Sequence, residues 1–161
     1  MNKTQILVNA VFRRNFQSFL SLLENGISPN SKYRGFSILS WAAQEGCYKM
    51  CEILIKHGAN VNYKDKDGIT PLYQAVGSNH LKIVSLLLKN NAEVDPIFVG
   101  GGKVTPLHIA SAYSYYSCVK LLLKYGANPR IKDEKGNYPI TFAKRHKHKT
   151  IVEILDQYKG T

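Results

Sequence analysis

A short phrase recurs along this chain and sets its register. Thr70-Pro71-Leu72 returns as Thr105-Pro106-Leu107; Ser37-Ile38-Leu39 lies 33 residues before the first, and Tyr138-Pro139-Ile140 lies 33 after the second. A period near 33 marks a stacked array of helical units, none of which can bury its apolar face alone. Such arrays present extended surfaces. The period therefore argues for a binding scaffold and against an enzyme.

The unit from Gly68 to Asp95 shows the grammar. Thr70 is placed to cap a helix, because its hydroxyl can accept a free N–H of the first turn. Pro71 follows at the first helical position, where its missing N–H costs nothing. Leu72, Ala75 and Val76 make the inner face of a short first helix; Ile83, Val84, Leu86, Leu87 and Leu88 stripe a second. Asn79-His80 turns the chain between them. Asn90-Asn91 can end the second helix, since Asn tolerates left-handed backbone. The second unit repeats this with Ser37 as cap, Leu39, Ala42 and Ala43 inward, Gly46 turning, Ile53-Leu54-Ile55 packing and Gly58-Ala59-Asn60 closing. The fourth opens on Thr105-Pro106-Leu107-His108, packs Leu121-Leu122-Leu123 and closes on Gly126-Ala127-Asn128. The first unit (Leu7, Ala10, Val11, Phe19, Leu20, Leu22, Leu23) and the fifth (Pro139, Ile140, Ala143, Ile151, Val152, Ile154, Leu155) are looser, as end units with one wet face should be.

On the Thr-Pro-Leu opening, the triple aliphatic and the Gly-Ala-Asn close, the chain resembles the ankyrin-repeat family over about residues 1–158. The resemblance implies an all-α solenoid of stacked helix-turn-helix units with projecting hairpin fingers. It implies one domain, 1–161, with repeats near 1–34, 35–67, 68–102, 103–135 and 136–158. It also implies a concave groove along fingers and first helices, and an inter-repeat hydrogen bond from His108. In the family, partners usually meet finger tips and the exposed ends of first helices. Carried over position by position, the fingers offer Tyr33, Arg34 and Phe36, then Lys64, Lys66 and Ile69, then Phe98 and Val104, then Lys132, Lys135 and Asn137. The helix ends offer Gln44 and Glu45, Ser78, Ala112 and Tyr113, and Arg145 and His146.

Charge narrows the partner. The formal net charge is +11, and Lys103 to Lys149 holds ten Lys or Arg against two acids, Asp133 and Glu134, a local net of +8. That end should favour another protein with an acidic surface. Buried aromatic or Arg anchors with a charged rim suit such a contact. The alternative is a polyanion or oligonucleotide, with Phe36 or Tyr113 stacking a base while lysines neutralise phosphates. The expected role is a non-catalytic inhibitor, adaptor or mimic, monomeric when free. No Cys-His, Ser-His-Asp or paired-carboxylate arrangement is spaced for catalysis, and neither cofactor nor metal is expected.

Cys47, Cys51 and Cys118 form no paired ligand spacing and read as buried free thiols, which suits a reducing compartment. No apolar run approaches the ~20 residues of a membrane span. Met1 to Phe16 lacks the features of a secretory signal. Cytoplasmic residence is expected, with the nucleus or a host cytosol as alternatives.

The departures from the period are where function should sit. Thr70 to Thr105 spans 35 residues, so two extra residues fall in Asp95 to Val104, a Gly-rich third finger. It reads either as a mobile elongated hairpin or as a finger gripping a partner through Ile97 and Phe98. It is no phosphate-binding loop, because Ile97 and Val104 stand where such a loop wants Gly and Ser/Thr. Tyr113 reads as a groove anchor or a packing residue, Tyr116 as half-buried, and Trp41 as core. Lys144 to Lys149 reads as a solvated end cap or as an anion-binding or nuclear-import patch.

Overall fold

The structure, a computed structural model, describes residues 3–158; Met1, Asn2 and 159–161, which the expected domain includes, lie outside the described residues. Five helix pairs follow one another: α1 Lys3–Phe12 with α2 Phe16–Glu24, α3 Ile38–Gln44 with α4 Tyr48–Lys56, α5 Pro71–Gly77 with α6 Leu81–Lys89, α7 Pro106–Ala112 with α8 Tyr116–Lys124, and α9 Pro139–Arg145 with α10 Lys149–Gln157. The first helices α1, α3, α5, α7 and α9 pack successively on one another, and so do the second helices. This makes two layers of a solenoid.

The recurring phrase does what its chemistry requires. Thr70 Oγ1 accepts the Tyr73 N–H at 3.1 Å, and Ser37 Oγ accepts the Ser40 N–H at 3.0 Å. Proline occupies the start of α5, α7 and α9. Leu72, Ala75, Val76, Leu39, Ala42, Ala43, Leu107 and Ala110 are buried, and one continuous apolar cluster runs from Leu7 to Leu155. Each fully buried Leu or Ile removes enough apolar surface to contribute ~1.5–3 kcal/mol.

The turn between the helices of each pair needs one residue in left-handed backbone. Arg14, Gly46, Asn79, Ser114 and Lys147 take it, with φ of 52°, 71°, 56°, 60° and 59°. From the second pair onward the next residue then reaches back to the preceding repeat, most closely where it is a histidine. A ring nitrogen of His80 meets the carbonyl of Gln44 at 3.0 Å, and one of His148 meets that of Ala112 at 2.9 Å. These bonds occupy carbonyls that a helix end leaves without intrahelical partners. His148 therefore belongs to the repeat stacking, and the basic run around it is not wholly a solvated cap.

His108 makes the inter-repeat bond expected of it. The Thr105 N–H donates to His108 Nδ1 at 3.1 Å, which leaves the proton on Nε2, 3.2 Å from the Asn137 carbonyl. Burial pushes its pKa down, in keeping with a neutral ring.

Behind the fingers an amide ladder joins the loops. Asn30 Oδ1 accepts the Asn60 N–H at 2.7 Å while its amide donates to the Gly58 carbonyl at 3.1 Å. Asn62 repeats this with the Glu93 N–H at 2.7 Å and the Asn91 carbonyl at 3.0 Å. Asp95 holds the next place in register.

Candidate functional site: the concave groove

The fingers position the site, and they are built differently. The first is a two-residue hairpin of β1 (Lys32–Tyr33) and β2 (Phe36–Ser37). The second and fourth close around an acid. Asp65 Oδ1 accepts the N–H groups of Asp67 and Ile69 at 3.0 and 2.8 Å; Asp133 Oδ1 accepts those of Lys135 and Asn137 at 2.9 and 2.7 Å. Desolvation is the largest single influence on the Asp133 carboxyl and pushes its pKa up, but the Asn137 side-chain amide and these two backbone N–H bonds together hold it below the ordinary range.

The third finger is not a free elongated hairpin. It carries a single bridge, Phe98 to Val104, and a 3-10 turn over Val99–Gly101. The Val99 N–H donates to the Asp67 carbonyl of the second finger at 2.9 Å. On its other side the Gly102 carbonyl accepts the Glu134 N–H of the fourth finger at 2.8 Å. The extra length is thus tied to both neighbours. Its glycines serve Phe98, whose ring folds back over Gly101 so closely that a Cβ there would overlap it. The ring also meets Tyr73, edge to face with centroids 5.0 Å apart. Tyr73 occupies the place that His108 has one repeat later. Burial first, and the neighbouring Tyr113 second, push its phenol up to about 12.

Phe98, Tyr73, Val104, Ile109, Tyr113 and Phe142 wall a concave groove of about 650 Å³ that His146 and His148 close at one end. Tyr113 is 63% exposed and stacks on Tyr115 with centroids 5.8 Å apart. It stands at the rim, with most of its ring free to contact a partner. The Arg145 guanidinium lies over Phe142, 5.6 Å from its centroid, and His146 stacks on His148. The groove thus combines an aromatic wall with a cationic edge. This suits apolar side chains followed by an acidic group.

The other end of the concave side holds a second aromatic nest. Phe12, Tyr33 and Phe36 surround Trp41, with ring centroids 5.3, 6.3 and 5.2 Å away. The Trp41 Nε1–H donates to the Tyr33 carbonyl at 3.0 Å, and the Arg34 guanidinium covers the Tyr33 ring at 5.3 Å. Trp41 is a half-buried residue packed against the core edge, so its expected core role covers only one of its faces. Trp41, which its register assigns to the core, is thus the ring on which the nest is built.

The remaining candidates divide. Lys66 and Lys135 are exposed at finger turns, and Lys132 lies over the Tyr138 ring at 5.3 Å. Ile69 is half-buried. Lys64 is held by Glu93 at 2.6 Å, an exposed pair of small energetic weight. Glu45 is half-buried, and its carbonyl accepts from Arg14 at 2.8 Å. Val104, expected as a contact residue, is 8% exposed, because pairing with Phe98 turns it into the groove wall. Tyr116, expected half-buried, is 42% exposed on the outer layer. Of the groove residues, Phe98, Val104, Tyr113 and His146 were among the candidates; Tyr73, Ile109 and Phe142 were not. Tyr73 had a signal, since it breaks the Thr-Pro-Leu-His phrase.

The cysteines offer no reactive centre. All three are buried, burial raises the pKa of each, and that of Cys118 rises to about 11. No group of three metal-ligating side chains converges among the described residues.

Comparison with known proteins converges on one family. The family described as Ankyrin repeats (3 copies) matches residues 7–98, 63–133 and 97–160. Inversin of Canis lupus familiaris is 33% identical over 136 residues, covering 84% of this chain and 13% of that protein. Palmitoyltransferase ZDHHC17 of Rattus norvegicus is 36% identical over 97 residues, 59% of this chain and 15% of its own. The Drosophila melanogaster protein named Ankyrin repeat and KH domain-containing protein mask is 37% identical over 102 residues, 63% of this chain and 2% of its own. The chain therefore spans a small fraction of the length of these relatives.

Proposed function

This chain belongs to the ankyrin-repeat family, a non-catalytic interaction fold, and from that premise we propose that it binds an acidic partner protein through its concave face. It acts by occupying that partner's surface, as an inhibitor, adaptor or mimic, and needs no cofactor. The observation that carries the reading is the groove around Tyr113. An exposed tyrosine stands at the mouth of an aromatic-walled cleft of about 650 Å³, with Arg145 held over the wall at Phe142. Aromatic and Arg side chains are the ones that most often dominate interface energetics. The surrounding lysines add steering rather than affinity. Arg34 at the Trp41 nest gives the same pairing of ring and guanidinium at the far end, so one extended segment could engage both.

The test is capture on immobilised protein from lysate of the source cells, with and without nuclease, using wild type and an Arg34→Glu/Tyr113→Ala/Arg145→Glu variant. These side chains are exposed, so the variant should keep its helical circular dichroism and melting temperature. A nuclease-resistant protein retained by wild type and lost by the variant is the expected result. Equal retention by the folded variant sinks the concave assignment. Capture abolished by nuclease would favour the oligonucleotide alternative, whose affinity should also fall steeply with salt.

A further inference from the structure

The outer layer carries a second surface that the concave reading leaves unused. Between α6 and α8 runs a groove of about 620 Å³. Leu81, Tyr116 and Leu121 line it together with Lys82, Lys120 and Lys124. Leu81 and Tyr116 are 37% and 42% exposed, so both leave apolar surface open beside the lysines. We propose that this groove docks a short amphipathic helix of a partner protein, its apolar stripe flanked by acidic residues, at a site separate from the concave face.

Charge selects this occupant. Neither α6 nor α8 contains an acidic residue, whereas α4 carries Glu52, close to Lys56 at 4.0 Å, and α10 carries Glu153 and Asp156. Among the described residues no ion pair engages Lys82, Lys120 or Lys124. Lys120 instead rests its ammonium over the Tyr116 ring, 5.4 Å from the centroid. The cations therefore stand beside the apolar residues without partners of opposite charge. A second copy of this chain would bring the same lysines face to face, which like-charge repulsion opposes. The furrow between two helices fits a third helix better than it fits a flat lipid surface. A third helix laid in that furrow packs as helices do, with axes ~8–10 Å apart. Two nine-residue walls give it a track of ~13 Å, room for apolar anchors at i, i+4 and i+7.

The probe is a fluorescein-labelled designed helix of about four turns, with a Leu stripe and Glu flanks. It is compared with a Lys-flanked version and with a Glu-flanked version whose stripe is Ser, by anisotropy at physiological salt. The Glu/Leu helix should bind wild type and neither control should. Lys120→Glu/Lys124→Glu, both exposed, should keep the wild-type circular dichroism and weaken binding roughly tenfold or more. Tyr113→Ala/Arg145→Glu should leave it unchanged. The proposal fails if the helix does not bind, if the Ser-striped helix binds equally, if the outer variant binds like wild type, or if the concave variant is the one that loses binding. It also fails if phosphatidylserine vesicles bind wild type, lose binding to the outer variant and displace the helix, which would identify a lipid ligand. Because the two variants lie on opposite layers, failure here leaves the concave reading standing.

Discussion

Asp95 Oδ2 accepts the backbone N–H of Asn128 at 2.9 Å, while the same carboxyl's Oδ1 is shielded from solvent and has no hydrogen-bond partner among the described residues. Asn30 and Asn62, at the equivalent places, satisfy both ends of their amides. An aspartate cannot donate as they do unless it is protonated, and burial accordingly raises its pKa.

Asp95→Asn should therefore stabilise the fold at neutral pH, by about 1–2 kcal/mol if the new amide reaches the Gly126 carbonyl. The sign of the pH dependence follows from the raised pKa. The folded state holds the proton more tightly than the unfolded chain, whose Asp titrates near ~3.9. The stability from the neutral acid is complete below that value and is lost as pH rises through the folded pKa. Urea denaturation of both proteins should show a gap that is wide near neutral pH and narrows in acid. A constant gap would assign the effect to something other than the carboxyl.

His108 should give the opposite slope. Its ring is 1% exposed, accepts at Nδ1 from the Thr105 N–H, and has its pKa lowered by burial. As pH falls below ~6.5 the unfolded chain takes up a proton that the folded ring resists. Stability is thus present above the unfolded pKa and declines through acid. His108→Gln, which cannot titrate, should lose less stability between pH ~7 and ~5 than wild type. Nitrogen-15 shifts of the folded ring should report the Nε2–H tautomer.

The fold was legible because its elements are local and repeated. Caps such as Thr70, prolines at helix starts and stripes such as Leu86-Leu87-Leu88 each state their structure within a few residues. The residues that wall and rim the candidate groove stood out where they broke the repeat, as at Tyr113, Phe98 and Arg145. Others were hidden where they depended on contact across repeats. Trp41 looks like a core residue from its register, yet three aromatics from two repeats gather on it. The Gly100-Gly101-Gly102 run suggests looseness until Phe98 is seen lying against it. Composition cannot report that a flexible segment is bound on both flanks.

Ser114 offers a simple stabilising change. It holds φ at 60° where its counterpart Gly46 sits at 71°, and its side chain is exposed. Left-handed backbone costs a residue with a Cβ ~1–2 kcal/mol, against ~0.5–1 kcal/mol of extra unfolded-state entropy for glycine. Ser114→Gly should gain about 0.5–1 kcal/mol in chemical denaturation without changing the denaturant slope. A loss would show that the Ser114 side chain contributes more than its backbone strain costs.

Gly68 and Gly35 separate strain from contact in the fingers. Their φ angles are nearly equal, +87° and +86°. A Cβ on Gly35 would meet nothing within 4 Å, whereas one on Gly68 would overlap the Ile97 carbonyl oxygen, a backbone atom that cannot swing aside. Gly35→Ala should therefore cost only the left-handed term less the unfolded-state entropy that alanine removes, about 0.5–1 kcal/mol. Gly68→Ala must also push the third finger off the second, stretching the Val99 N–H bond to the Asp67 carbonyl. It should cost clearly more than Gly35→Ala and speed hydrogen exchange at Val99, while exchange in α3 and α4 stays unchanged. That finger carries Phe98 into the groove beside Tyr73. The same substitution should then weaken capture of a concave-face partner, although Gly68 itself touches no part of the groove wall. Equal costs for the two alanines, with unchanged exchange at Val99, would mean that the third finger does not depend on the second for its position.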